Sequence, residues 1–360
     1  MKYERRKTKA VRVGDLLIGG GAPITVQSMT NTNTHDIEST YRQVLRLVGA
    51  GCDIIRITTP DLESVQTLRA IRERGVMAPL VADVHFDYRI AVAAAKAGVS
   101  KLRINPGNIG SRDKVGEVVR ACTEYGVPIR IGVNSGSLEP ELLKKYGSPT
   151  AEALAESALG HAAILEELGF ENTVISVKAS SVPTMIEANR ILAERTSYPL
   201  HLGVTEAGAR TSAIVKSSIG VGTLLAEGIG DTIRISLTDD PVEEVSCARE
   251  ILRALSLTDK PGLEIISCPT CGRTGIDLVD LVRRFEERTK ALGLCDVNAK
   301  VALMGCAVNG PGEAREADVG IAGGKGEALL FKKGTIISKI PEDSIIDVLC
   351  DEIKKIKSSN

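Results

Sequence analysis

Four short segments share one pattern. "IRIT" begins at Ile55, "LRIN" at Leu102, "IRIG" at Ile129 and "IRIS" at Ile233, so Arg56, Arg103, Arg130 and Arg234 each stand inside an apolar run. A guanidinium is a planar fork that meets phosphate or carboxylate oxygens two at a time. In extended chain, side chains alternate between faces. Each arginine therefore shares a face with a small or polar residue two positions on (Thr58, Asn105, Gly132 or Ser236), while the flanking aliphatic residues point the other way. Other apolar runs close similarly: Asp83 and His85, Ser176 and Lys178, His201 and Thr205 followed by Glu206. Arg56, Arg103, Arg130, Lys178 and Arg234 against Asp83 and Glu206 leave three positive charges in excess. Unpaired buried charge is costly, so such a pocket calls for a polyanion, and a diphosphate is the natural one. The alternative is that these arginines pair with acids at the strand ends and are structural; four in one register favour the anion. His85 and His201 are strand-end candidates for proton transfer.

The cysteines suggest a second chemistry. "SCPTCGR" gives C-x-x-C at Cys268 and Cys271, half of a zinc ribbon. No second C-x-x-C follows. A single thiol, Cys306, stands in the glycine-rich "MGCAVNGPGE". Three thiolates and a gap suit an iron–sulfur cluster with one distinctive iron. Its fourth ligand is then Cys295, Glu313 or an exogenous group. Cys52, Cys122, Cys247 and Cys350 lie in apolar or helical patterns and read as small core residues.

These residues need a scaffold. Strand-like runs fall at 23–29, 53–58, 79–85, 101–105, 128–134, 173–179, 200–206 and 232–237, with helix-like runs between them. Strands alternating with helices imply parallel pairing, and eight such units predict a (β/α)8 TIM-type barrel, with its site at the carboxyl ends of the strands. A doubly wound open sheet is the rival, but no G-x-G-x-x-G opens the first helix; "TNTNTHD" follows the first strand. "VRVGDLLIGGGA" predicts a hairpin closing the lower end of the barrel. After "SLTDKPG" the pattern changes to a smaller α+β domain. The expected division is 1–258 for the barrel and 259–360 for the α+β iron–sulfur domain.

Composition narrows the classes. The 360 residues carry a formal net charge of −1, so no global field attracts nucleic acid or an anionic membrane. There is no Trp and aromatics are 3%, which argues against base-stacking surfaces. The basic opening "MKYERRKTKA" has no apolar run behind it, and no apolar stretch approaches the roughly 20 residues of a spanning helix. A cytoplasmic protein with no membrane or nucleic-acid partner is expected.

"SCPTCGR" followed by "MGCAVNGPGEA" resembles the 4-hydroxy-3-methylbut-2-enyl diphosphate synthase family of the methylerythritol phosphate pathway, in its compact bacterial two-domain form. "VQSMTNT", "RINPGN", "IRIGVNSGS" and "HLGVTEAG" extend the match along nearly the whole chain. The resemblance implies an oxidoreductase with a 4Fe-4S cluster on Cys268, Cys271, Cys306 and Glu313. It implies a cyclic diphosphate substrate, 2-C-methyl-D-erythritol 2,4-cyclodiphosphate, opened by two-electron reduction with loss of water. Arg56, Arg103, Arg130, Lys178 and Arg234 are then the diphosphate ligands, helped by Asn134, Ser236 and His201. Glu206, with Asp83 or His85, handles protons, and Asn309 orients oxygen beside the cluster. Flavodoxin or ferredoxin is the implied electron donor.

One geometric expectation follows. The eighth helix, in "PVEEVSCAREILRAL", returns the chain to the bottom of the barrel, opposite the site. The five residues 258–262 span at most about 18 Å, too little to swing a domain over its own barrel mouth. A head-to-tail homodimer is expected, with each cluster domain capping the partner's barrel, and the resemblance agrees. Two other classes compete: a zinc-stabilised barrel lyase or aldolase acting on a phosphorylated sugar, and a non-catalytic sensor of a phosphorylated metabolite.

Overall fold

A computed structural model describes residues 4–258, 260, 262–307, 312 and 314–359. The chain divides after Thr258 into two compact units, each with its own core.

The first unit opens with a hairpin of β1 (Val11–Val13) and β2 (Leu16–Ile18). Eight further strands follow: β3 (Thr25–Met29), β4 (Ile54–Thr58), β5 (Leu80–Asp83), β6 (Lys101–Ile104), β7 (Ile129–Asn134), β8 (Thr173–Lys178), β9 (His201–Leu202) and β10 (Thr232–Ile233). Helices α1 (Ile37–Gly49), α2 (Ser64–Glu73), α3 (Tyr88–Lys96), α4 (Pro106–Ile109), α5 (Arg112–Tyr125), α6 (Pro140–Tyr146), α7 (Ala151–Glu167), α8 (Val182–Arg195), α9 (Arg210–Ala226) and α10 (Pro241–Ala254) connect or flank them. The eight strands pair in parallel in the order β8-β7-β6-β5-β4-β3-β10-β9, and a bridge between Ile175 and Leu200 closes the ring. The unit is a (β/α)8 barrel, as the strand spacing leads one to expect.

Local chemistry sets the element boundaries. Asp36, Asp87, Thr150 and Asp240 each accept a backbone N–H from the first turn of the following helix, satisfying donors that a helix start leaves open. Alternation along the strands then divides the core. Ile55, Ile57, Leu102, Ile104, Ile129, Ile131, Ile233 and Ile235 pack outward into the layer under the helices. Ile54, Val81 and Val174, on the inner face, pack on Val11, Val13 and Ile18 of the hairpin, a dry plug inside one end of the barrel. The seventh and eighth strands are shorter than the sequence pattern suggests. Beyond Leu202 and Ile233 regular pairing stops, although the Arg234 N–H still reaches the Leu202 carbonyl at 3.0 Å. Gly203 lies so close there that a Cβ would stand 2.5 Å from the Arg234 carbonyl oxygen and 2.9 Å from Lys178 Nζ.

The second unit is a five-stranded sheet, β11 (Leu263–Ser267), β12 (Ala299–Met304), β13 (Val319–Gly323), β14 (Glu327–Lys332) and β15 (Thr335–Pro341), in that order. The first three strands are parallel and the last two antiparallel. Helices α11 (Leu278–Ala291) and α12 (Ile345–Ser359) bury Phe285, Leu349 and Ile353 with Val301, Leu303 and Ile321. Ala302, Met304, Ala322 and Phe331 form a smaller cluster with the alternate strand residues. The glycine-rich "GIAGGKGE" is the end of β13 and the turn into β14, with Gly326 at φ 71°.

Gly203→Ala is expected to destabilise the protein by about 1–3 kcal/mol, because its methyl meets fixed backbone. Gly116→Ala, inside α5 with open space around it, should instead gain about 0.5–1 kcal/mol. Calorimetric unfolding of the two variants measures both shifts; equal shifts would refute the close approach at Gly203.

Candidate active site

The inner face of the barrel carries cations at successive registers. Arg56 pairs in the ladder with Val81, Asp83 with Arg103, Arg103 with Arg130, and Asn134 with Lys178. Asp83 is the shared counter-ion of one side: its carboxylate lies 3.6 Å from Arg56 Nε and 3.2 Å from Arg103 Nη1. Burial alone would raise this carboxyl, but Arg56 and Arg103, with His85 and Arg130 behind them, outweigh it and hold Asp83 below the usual carboxylate range. Arg103 Nη1 also donates to His85 Nε2 at 2.8 Å. Since guanidinium only donates, His85 accepts on Nε2 and is neutral with its proton on Nδ1. Desolvation and the two neighbouring guanidiniums push its pKa down against the pull of Asp83.

The other side of the mouth is organised by a residue absent from the sequence-derived site. Glu244, in the first turn of α10, is buried and accepts Arg234 Nε at 3.2 Å and Nη2 at 2.9 Å. It also accepts Ser28 Oγ at 2.7 Å and the Leu237 N–H at 3.2 Å. The remaining Arg234 nitrogen, Nη1, donates to Ser236 Oγ at 2.8 Å. A cavity of about 500 Å³ lies against these groups, lined by Met29, the threonine-rich loop 30–34, Thr58 and Arg234. The signal for Glu244 was its helical phase: Val245, Ala248 and Leu252 of α10 are fully buried, and an acid on that side needs a partner.

Structural ion pairing is thus realised for Arg56, Arg103 and Arg234. Arg130 and Lys178 differ: both are buried, and among the described residues neither has a carboxylate within ion-pair distance. Burial, followed by Arg234, Arg56 and Arg130, drives the Lys178 amine well below its ordinary value. Burial and the neighbouring cations do the same to His201, whose Nδ1 lies 3.3 Å from Thr232 Oγ1. A second missed residue, Lys101, is fully buried on the same inner face, two positions before Arg103. Asn134 ends β7 half-buried. Glu206 is exposed in the loop after β9 and adopts φ 51°, a left-handed conformation that is uncommon for a non-glycine residue and found at functional sites.

In the second unit, β11 and β12 run parallel with Ser267 opposite Leu303, so Cys268 and Cys306 leave adjacent strands at the same end. The Gly305 N–H donates to Cys268 Sγ at 3.3 Å, and the Gly275 N–H to the Gly305 carbonyl at 2.9 Å. The two cysteine loops therefore meet through their backbones. The Arg273 backbone N–H, with its guanidinium and the Thr274 hydroxyl, lowers the exposed Cys271 thiol toward thiolate. Among the described residues no three His, Cys, Asp or Glu side chains are gathered tightly enough to hold a metal ion. Glu313 and Asn309 lie outside the described residues. An N–H aimed at the Cys268 sulfur, the Cys271 thiol biased toward thiolate, and Cys306 one residue after Gly305 supply soft sulfur donors of the kind a soft metal or an iron–sulfur cluster takes. Cys295 is exposed, and Cys52, Cys122 and Cys350 are buried core residues.

Comparison with known proteins agrees along the whole length. The GcpE TIM-barrel domain matches residues 8–249 and the GcpE protein C-terminal domain residues 264–355. A protein of Clostridium perfringens (strain 13 / Type A), named 4-hydroxy-3-methylbut-2-en-1-yl diphosphate synthase (flavodoxin), is 57% identical over 98% of this chain and 99% of its own. A protein of the same name from Geobacter sulfurreducens is 54% identical over 98% of each. Among solved structures, the sialic acid synthetase of Leptospira borgpetersenii superposes with a TM-score of 0.50 at 11% identity, over 81% of this chain and 99% of that one, a likeness of fold alone. With both of its units matched and relatives this similar over full length, the chain belongs to the GcpE family.

Proposed function

We infer that this chain is an oxidoreductase of isoprenoid precursor biosynthesis that converts 2-C-methyl-D-erythritol 2,4-cyclodiphosphate to 4-hydroxy-3-methylbut-2-en-1-yl diphosphate. Two electrons and two protons enter, the ring opens, and one water leaves. The observation that carries the substrate class is the buried pair Arg130 and Lys178, two cationic side chains that among the described residues have no carboxylate within ion-pair distance. A diphosphate supplies the missing charge. The shared name of the relatives points the same way and lends nothing to a zinc-stabilised lyase.

The chain's own residues divide the work. Asp83 and Glu244 hold Arg56, Arg103 and Arg234 in fixed orientations, so these forks meet phosphate oxygens already positioned. Asn134 and Ser236 add uncharged hydrogen bonds at the rim. Glu206, exposed at the mouth, is the proton donor, with His85 second. Cys268, Cys271, Cys306 and Glu313 would hold a 4Fe-4S cluster, which when bound would supply electrons one at a time. The electron donor would be a flavodoxin, as in the relatives' names, or a ferredoxin. The short segment 258–262 supports a homodimer in which each cluster domain serves the partner's barrel.

Anaerobic reconstitution with iron and sulfide, then assay of cyclodiphosphate reduction by a low-potential donor, tests this reading directly. A brown, active protein is expected; a colourless zinc protein without turnover would refute it. Mixing Arg130→Met with Cys306→Ser, each inactive alone, should restore about a quarter of wild-type turnover if sites are shared across a symmetric dimer. No recovery despite proven subunit exchange would place each cluster on its own barrel.

Binding should also take up protons. The free protein gives up the Lys178 proton at a lower pH than an ordinary lysine, because burial and Arg234 oppose its charge. The bound diphosphate favours the charged amine, so affinity should fall as pH rises through that lowered pKa. Titration calorimetry in buffers of different ionisation enthalpy reads the uptake, and Lys178→Met should remove most of it. Heats independent of the buffer would show that Lys178 keeps its proton throughout.

A further inference from the structure

Below the cations of the mouth and above the apolar plug, the barrel has a middle layer that is polar and buried. Gln27 of β3, Lys101 of β6, Arg130 of β7, Ser176 of β8 and His201 of β9 supply it, each no more than 1% exposed. They face inward by strand alternation: Lys101 shares a face with Arg103, while Leu102 between them packs under the helices. Among the described residues, Gln27 Nε2 and Oε1, Lys101 Nζ, Arg130 Nε and Nη2, Ser176 Oγ and His201 Nε2 have no hydrogen-bond partner. So many orphaned polar atoms in one layer is unusual, since buried polar groups are nearly always satisfied.

The imbalance has a sign. Lys101 brings three N–H donors, the orphaned Arg130 nitrogens three more, and the Gln27 amide two. Against them stand one amide oxygen, one hydroxyl and one imidazole nitrogen. Burial, then Arg130 and Arg56, drives the Lys101 amine well below its ordinary value while the layer is empty, and Arg130, Lys178 and Lys101 add to what burial does to His201. The inner carboxylate, Asp83, is already engaged by Arg56 and Arg103. Water would fill the empty hydrogen bonds, but it brings as many donors as acceptors and no charge. A small anion corrects both deficits together.

We propose that this middle layer binds one small inorganic anion of halide size, held between Lys101 Nζ and the Arg130 guanidinium and flanked by Gln27, Ser176 and His201. The site lies inward of the diphosphate mouth and shares Arg130 with it, but it does not depend on the reaction assigned there. Its occupant keeps Lys101 charged and screens the central cations from one another before substrate arrives.

Crystals of the wild-type protein soaked in sodium bromide, measured at the bromine absorption edge, test it. An anomalous peak beside Lys101 Nζ is expected. A second measurement uses solution stability at fixed ionic strength, replacing gluconate, which is too bulky for the layer, with chloride. The unfolding midpoint should rise by about 2–4 °C, the change that a modest ligand produces in a domain of this size. Lys101→Met should lose that increment, whatever its own stability. Waters alone in the central density, bromide confined to the surface, or a halide-specific rise retained in Lys101→Met would each overturn the proposal. If Lys101→Met fails to fold, the wild-type bromide map decides alone.

Discussion

Cations inside a water-poor barrel govern the rest of this protein. A charge in low dielectric costs several kcal/mol unless it is met by an opposite charge and good hydrogen bonds. The inner face holds Arg56, Lys101, Arg103, Arg130, Lys178 and Arg234, while among the described residues Asp83 and Glu244 are the acids in contact with them. The surrounding architecture tolerates that shortage. The helix layer supplies a large aliphatic core, and the hairpin plug of Val11, Val13 and Ile18 keeps one end dry. Stability gained across these layers offsets a centre with more buried cations than contacting acids among the described residues.

The two carboxylates are spent on orientation, not neutralisation. Asp83 fixes one edge of two guanidiniums, and Glu244 takes two nitrogens of Arg234 while accepting Ser28 and the Leu237 N–H. Each arginine so held loses little rotamer freedom when an oxygen anion arrives, which is where affinity is commonly lost. Lys178 and Arg130 are the complementary case. With no carboxylate in ion-pair distance among the described residues, each bears the cost of its burial uncompensated.

Much of this was legible in the sequence because it depends on period. The two-residue alternation in "DIIRIT" and "KLRIN" placed arginine and aliphatic on opposite faces, and recurrence of the pattern gave the barrel. The same rule would have given Lys101, since it shares parity with Arg103. But Lys101 starts its strand, and barrel sites are built at the strands' carboxyl ends, so its position carries no functional signal. Glu244 was hidden for a different reason. A glutamate in the first turn of a helix is ordinarily a solvated dipole partner, and only the burial of Ser28 and Arg234 beside it makes it a counter-ion. The short β9 and β10 were illegible too. They end where Gly203 comes close to the Arg234 carbonyl, a tertiary contact that no local pattern encodes.

Both units solve one problem in the same manner. A parallel strand ends with its following loop free to vary, and adjacent parallel strands deliver their loops to a common edge. In the barrel this gathers Asp83, Lys178 and Arg234 from separate strands around one mouth. In the smaller sheet it sends the loops of Cys268 and Cys306 out of β11 and β12 at the same end, where the Gly305 N–H reaches sulfur. Hard oxyanion chemistry asks for guanidinium and ammonium; soft metal chemistry asks for thiolate steadied by backbone N–H. Separate cores place the guanidiniums inside one sheet and the thiols at the end of another, so each set is packed among its own neighbours.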